Sequence, residues 1–462
     1  MHLLLFLAVP LFAQTPCADM ARLPNVSAAI QTATHCRVSI TLRPTADSEI
    51  KSEVWLPAAS EWNGKLLMEG GGGLVGSINT EGMMYAVREG YASASTDTGH
   101  TGSSGRFALG HPDKITDFAD RAVHETAVEA KALIVAYYGR GPRLSYWEGC
   151  STGGRQGLMS AQRYPEDFDG VIAGAPAYNQ IYISAWRMRL LMTALKSPQH
   201  ALPAAKLKLL NDAVLDKCDS NDGVKDCLIE APCNCNFDPS VLKCNGTETE
   251  SCLTPQQLET VNAAYTDMRK SNGEIIYPRL PFGGELGWRL PVGATEPGAM
   301  DIDIFRYIAN QDPAWDWRSF DLEKDIDRAL LRGYHGWSDG GSGGSISPLN
   351  TTAYYESVLK YMGPNQDDWF RLFMVPGMDH CGGGTGPNQF NKLAAVERWR
   401  EQNEPPKSIT AARVNESGVI DMTRPLCPYP QIARYKGSGS TDDAANFVCT
   451  VEKLDSSQNR KR

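Results

Sequence analysis

The chain has 462 residues, 42% hydrophobic and 21% charged, with a net charge of −9. That length calls for a catalytic-sized domain of about 250–300 residues plus a sizeable second element. The composition is that of a soluble globular protein, and the acidic balance, without a long basic run, argues against a nucleic-acid partner, which needs clustered Lys and Arg.

At the N-terminus an apolar run, Leu3–Phe12, is followed by Ala13-Gln14. A run of this length is too short to span a bilayer but suits a signal peptide, residues 1–13, cut after Ala13. No later segment has the length and apolarity to cross a membrane, so a secreted or periplasmic protein with no membrane partner is expected. Twelve cysteines, an even number, agree with an oxidising compartment. Asn-x-Ser/Thr sequons begin at Asn25, Asn245, Asn350 and Asn415.

Val38–Arg43, Ser52–Leu56 and Lys65–Glu69 read as short strands, the last running into Gly70-Gly71-Gly72-Gly73. Asp120–Tyr138 carries apolar residues at helical spacing. Arg143–Glu148 reads as a strand, Gly154–Arg163 as a helix and Gly170–Ala173 as the next strand, an alternation that predicts an α/β fold. From Tyr178 to Trp317 the patterning becomes irregular and holds six of the twelve cysteines, as a separately stapled insertion would. The alternation resumes near Leu330–Gly336 and continues through Phe370–Pro376.

Gly149-Cys150-Ser151-Thr152-Gly153 matches the G-x-S-x-G elbow, a sharp strand-to-helix turn that exposes a serine hydroxyl, and it sits in the strand–turn–helix context this motif requires. Serine needs a base to take its proton and an acid to orient that base. In α/β-hydrolases the chain order is serine, acid, histidine. His380, in Asp379-His380-Cys381-Gly382, follows a strand-like run, Leu372–Val375, and precedes a glycine-rich loop. Asp339, just past a strand-like run, takes the acid's place in this order. The rival His335 precedes Asp339 and would invert it. A Cys150–Cys381 disulfide would tie the serine's loop to the histidine's loop. Oxyanion donors are expected from the backbone of Thr152 and of Gly72, with Gly71 next in line.

Cys218-Asp219-Ser220-Asn221-Asp222-Gly223-Val224-Lys225-Asp226-Cys227 crowds three carboxylates onto a short turn. They repel unless solvated or bound to a hard cation. The side chains of Asp219, Asp222 and Asp226 with the carbonyls of Val224 and Leu228 would suffice for a structural Ca²⁺; a solvated turn is the alternative. Trp186, Phe282 and Trp288 are candidate ring-stacking walls for an aromatic substrate, although rings of this kind are more often simply lid core.

At these residues the chain resembles the tannase and feruloyl esterase family, whose mark is a Cys-Ser…Asp…His-Cys arrangement and which includes mono(2-hydroxyethyl) terephthalate hydrolase. The resemblance runs from about Cys17 to Cys449 and is densest in Ala92–Gly102, Gly149–Gly157, Tyr164–Pro176 and Val375–Gly384. It implies an α/β-hydrolase core, residues 14–177 and 318–462, with a disulfide-stapled lid domain, residues 178–317, inserted between the nucleophile and acid strands. By position it implies Ser151 as nucleophile, Asp339 as acid, His380 as base and calcium at the acidic turn, with no organic cofactor. Implied disulfides are Cys150–Cys381, Cys218–Cys235, Cys244–Cys252, Cys427–Cys449, Cys17–Cys36 and Cys227–Cys233. One departure is the run Gly340-Gly341-Ser342-Gly343-Gly344-Ser345 after Asp339, which has the composition of a flexible linker.

The resemblance implies a secreted serine esterase acting on a small ester of a planar aromatic acid, with feruloyl esters first. Galloyl and terephthaloyl monoesters are the alternatives. An inactive, calcium-stapled binding protein is the alternative from outside enzymology.

Overall fold

The computed structural model describes residues 14–74, 76–288, 290, 295–331 and 346–451. Asp339, the Gly340–Ser345 run and the proposed signal segment lie outside the described residues. Seven strands form the main sheet: β1 (Val26–Gln31), β2 (His35–Leu42), β3 (Ile50–Pro57), β4 (Lys65–Glu69), β5 (Ala92–Thr96), β6 (Leu144–Cys150) and β7 (Gly170–Gly174), in the spatial order β1-β2-β3-β5-β4-β6-β7. The first three and β5 pair antiparallel, whereas β5, β4, β6 and β7 run parallel. Parallel neighbours need crossover connections. Helices Thr80–Arg88, Ala122–Tyr138 and Thr152–Arg163 supply them.

Alternation along the strands decides which face each side chain covers. On β4, Leu66 and Met68 pack with Ala127, Ala130 and Ile134 of the Ala122–Tyr138 helix. Leu67, between them, points the other way and joins Ala86, Tyr146 and Leu393, the last from the Lys392–Gln402 helix. Lys65 is buried at the start of β4, and its ammonium lies between the carboxylates of Glu397 and Glu401 of that same helix. The sheet is therefore covered on both faces, as parallel strands require.

Residues 178–331, together with Leu74, Ala108, Ile115 and Phe118, build a second hydrophobic cluster around Trp186, Leu210, Val261, Tyr277 and Phe305. Cys218–Cys235 and Cys244–Cys252 close short loops within it. The C-terminal region adds two hairpins, Ile409–Val414 with Ile420–Leu426 and Gln431–Tyr435 with Phe447–Val451, and Cys427–Cys449 fastens the second. Cys17–Cys36 ties the N-terminal turn to β2.

Two sequence expectations need correction. Leu372–Val375 does not join the sheet; it makes one bridge, Phe373 with Pro428, because a partner lacking N–H groups at Pro428 and Pro430 cannot extend a ladder. Cys227 and Cys233 are not joined to each other. The Asp219 carboxylate holds the amides of Asp226 and Cys227, Cys227 is left-handed with φ +66° and exposed, and Cys233 sits in the separate Pro232–Asn234 turn. Of the sequons, Asn25, Asn245 and Asn415 are exposed, while Asn350 is buried and closed to modification in the folded chain. No helix of the described residues is long and apolar enough to cross a membrane.

Candidate active site

Ser151 stands between β6 and the Thr152–Arg163 helix with φ +61° and ψ −119°. A non-glycine residue there is strained by about 1–3 kcal/mol and persists only when its surroundings hold it. Here its amide donates to Gly174 O at 3.0 Å, and its carbonyl accepts from Arg155 and Ala177 at 3.0 and 2.8 Å. Gly149 and Gly153 make the tight turn feasible. A side chain on Gly149 would lie 2.6 Å from the Gly153 carbonyl, and one on Gly153 would press on the backbone of Gly70 and Gly71.

The glycine loop after β4 is clamped onto this elbow. Gly153 N donates to Gly71 O and Thr152 Oγ1 to Gly73 O, both at 2.8 Å. Gly71 N donates to Gln156 Oε1 at 3.1 Å, and Asn79 Nδ2 to Gly70 O at 3.1 Å. With the Gly71 amide committed to Gln156, Gly72 is the loop residue left exposed, and a side chain there would meet nothing within 4 Å. Gln156 and Asn79 were not singled out by the sequence. Gln156 had a legible signal, since it lies four residues after Thr152 on the same helix face.

His380 sits at the tip of a tight turn in which Gly386 N donates to Gly377 O at 2.9 Å and Asp379 N to Gly383 O at 3.2 Å. Cys381, next to it, has φ +69°. Cys150 and Cys381 form a disulfide with a Cα–Cα distance of 5.9 Å. One further step of 3.8 Å along each chain keeps the Cα atoms of Ser151 and His380 within about 14 Å.

Beneath the elbow, Glu69 and Glu148 lie side by side in register on β4 and β6, one residue before Gly70 and Gly149. Glu148 pairs with Lys392 at 2.8 Å. Burial, reinforced by the neighbouring Glu148 charge, pushes the Glu69 carboxyl up to about 8 against the opposing pull of Lys392.

The acidic turn folds on itself. Asp219 accepts from the amides of Asp226 and Cys227 at 3.1 Å, Asp222 from Val224 at 3.0 Å and Asp226 from Leu228 at 3.1 Å, while Asp226 also pairs with Arg424. Burial first, then Asp226 and Asp219, push Asp222 up to about 6; burial and Asp222 push Glu230 up to about 8. The carboxylates thus outnumber the single positive charge that Arg424 brings. Among the described residues no three His, Cys, Asp or Glu side chains gather closely enough to hold an ion by themselves, so any cation there must also draw on the Val224 and Leu228 carbonyls.

The three candidate substrate walls separate. Trp186 is 1% exposed within the second cluster, beside Tyr277, and is core. Phe282 and Trp288 line a cavity of about 560 Å³ that Met374 through Asp379 also border, but neither Ser151 nor His380 does.

The family described as tannase and feruloyl esterase matches residues 36–298 and 327–450. The chain belongs to this family. A probable feruloyl esterase B-1 of Aspergillus fumigatus is 33% identical, over 92% of this chain and 87% of its own. Among solved structures, an esterase from Aspergillus oryzae matches with TM-score 0.86 and 30% identity, over 94% of this chain and 99% of its own. Feruloyl esterase B from the same organism matches with TM-score 0.84 and 32% identity, over 91% of each chain.

The raised Glu69 carboxyl has a stability consequence. Between its ordinary value of 4.5 and about 8 the folded chain keeps a proton that the unfolded chain has lost, so this group's contribution to stability falls as pH rises through that window. Glu69→Gln removes the effect. In urea unfolding with disulfides intact, the variant should match wild type near pH 4 and exceed it by on the order of 3 kcal/mol at pH 8.5; parallel pH curves would contradict the assignment.

Proposed function

We propose that this family member is a secreted serine carboxylesterase that hydrolyses feruloyl esters by two-step acyl transfer to water. The observation that carries the reading is the Cys150–Cys381 bridge, which joins a strained serine elbow to a histidine turn 231 residues away in sequence. Ser151 Oγ attacks the ester carbonyl while His380 takes its proton. The tetrahedral oxyanion accepts hydrogen bonds from the Thr152 and Gly72 amides, His380 returns the proton to the leaving alcohol, and water repeats the sequence on the acyl-enzyme. Asp339 orients the imidazole and stabilises its charged form. The bridge carries no electrons in this scheme. It restrains two loops whose relative position sets the rate.

Two of the three relatives reported above are named for feruloyl esters, which ranks feruloyl ahead of galloyl and terephthaloyl monoesters. Residues 178–317 serve as a lid over the core, a role supported by their two internal disulfides and by the hydrophobic cluster through which they pack with Leu74, Ala108, Ile115 and Phe118. Five disulfides among the described residues support export to an oxidising compartment. The acidic turn holds a structural Ca²⁺ through Asp219, Asp222 and Asp226 with the Val224 and Leu228 carbonyls. Its excess negative charge and oxygen donors suit a hard cation, which would neutralise the turn and take no part in the acyl transfer.

Wild type should release ferulate from methyl ferulate, and Ser151→Ala should lower kcat/KM by about 10³-fold or more. Equal release by both proteins would remove Ser151 from the reaction, and no release by wild type would favour a binding protein. For calcium, EDTA should lower Tm by roughly 2–4 °C and added Ca²⁺ should restore it. An unmoved Tm, with no copurifying metal, would contradict the site.

A further inference from the structure

The loop that carries Gly72 is gripped from two sides. One grip is the elbow itself, through Gly153 and Thr152. The other lies beyond Gly72, where the Leu74 carbonyl stands 2.9 Å from Nε2 of His100. A carbonyl can only accept, so this contact puts the imidazole proton on Nε2 and makes His100 the donor. His100 has no part in the acyl transfer described above, yet it is only 6% exposed and fixed on every side.

Its ring is stacked on Phe107, with centroids 3.9 Å apart, and meets Phe118 edge-on at 5.6 Å. Phe107 belongs to the turn Gly105–Ala108, which is itself docked. Asp303 Oδ2 accepts there from Ser104 Oγ at 2.7 Å and from Gly105 N at 2.8 Å. The backbone of His100 is packed as closely as its ring. A side chain on Gly76 would lie 2.3 Å from the His100 carbonyl, and Gly76 N donates to Gly102 O at 2.6 Å. Leu74 adds its own buried side chain to the second cluster.

Leu74 and Gly76 are thus seated on His100 and Gly102. Gly70–Gly73, between this seat and the elbow, carry no side chains that would resist rotation. Loss of the Nε2 donor would leave the carbonyl of a buried residue without its partner, and the glycine run is the part that would yield. We propose that His100 is a positioning residue for ester cleavage: its Nε2–H holds the Leu74 carbonyl and thereby keeps the Gly72 amide in place to receive the oxyanion. The inference rests on the roles of Ser151 and Gly72 proposed above. It requires a loss felt in the transition state and not in substrate binding, because the oxyanion forms only as the carbonyl is attacked.

The test separates the donor from the ring. His100→Phe keeps the stack on Phe107 and loses the N–H. His100→Gln gives up the ring, but its amide nitrogen reaches about as far as Nε2 and donates to the same carbonyl. With methyl ferulate, His100→Phe should lower kcat by about 10-fold or more and leave KM within about 2-fold of wild type. His100→Gln should bring kcat back to within about 3-fold. Phenylboronic acid, which takes the tetrahedral form on Ser151, should bind His100→Phe more weakly by the factor lost in kcat, while ferulate as a product inhibitor should bind both proteins alike. His100→Asn, whose amide stops one carbon short, should lose activity as His100→Phe does, and it serves if the phenylalanine variant fails to fold. Wild-type kcat without the donor, no recovery in His100→Gln, unchanged boronate affinity, or a change confined to KM would each overturn the proposal. If wild type shows no turnover that depends on Ser151, the esterase reading falls and this inference with it. Serine-dependent turnover that survives loss of the donor sinks the inference alone.

Discussion

The covalent link between Cys150 and Cys381 is the constraint on which the site depends. Its partners stand 231 residues apart, and closing a loop of that length removes on the order of 5 kcal/mol of freedom from the unfolded chain in the entropic view of disulfides. One end of the link and the neighbour of the other sit in costly backbone. Ser151 and Cys381 have φ of +61° and +69°, each worth about 1–3 kcal/mol of strain. The cross-link offsets that strain where it arises, so two turns that would relax separately are held in one arrangement.

The remaining geometry follows from how closely backbones approach around the elbow. Gly149 and Gly153 let β6, the serine helix and the glycine loop meet with no side chain between them. Hydrogen bonds from Gly153 and Thr152 then fix the loop, and Gln156 takes up the Gly71 amide. What remains open is Gly72, at the edge of the elbow. Directly below, two carboxylates stand in register at Glu69 and Glu148, and one keeps its proton because burial and its neighbour make a second charge too costly. The support of this site is thus polar, dense and sensitive to the protonation of a single group.

Much of this was legible before any coordinates. Lys65–Glu69 is a strand over the range its composition predicts, and the helix expected over Asp120–Tyr138 forms as Ala122–Tyr138 after a π turn. The reading failed where local pattern and tertiary role part company. Ala92–Thr96 has little β propensity, yet all five residues are buried at the centre of the sheet, because small side chains fit between covering layers. Leu372–Val375 has the apolarity of a strand but faces prolines that allow one bridge and no ladder. Trp186 and Trp288 look alike in sequence and both lie buried in the second cluster, and only packing shows that Trp288 also borders a cavity. Asp339 lies outside the described residues, so its place rests on chain order and on family membership.

The account stands or falls on whether Ser151 is an activated nucleophile that depends on the bridge beside it. A fluorophosphonate ester reports this directly, since it forms a stable adduct only with a serine whose proton a neighbouring base removes. Peptide mapping by mass spectrometry after labelling should find the adduct on Ser151 alone in the oxidised protein. The labelling rate should fall by about 10-fold or more once Cys150 and Cys381 are reduced. Labelling elsewhere, or at an unchanged rate after a verified reduction of that bridge, would contradict the account.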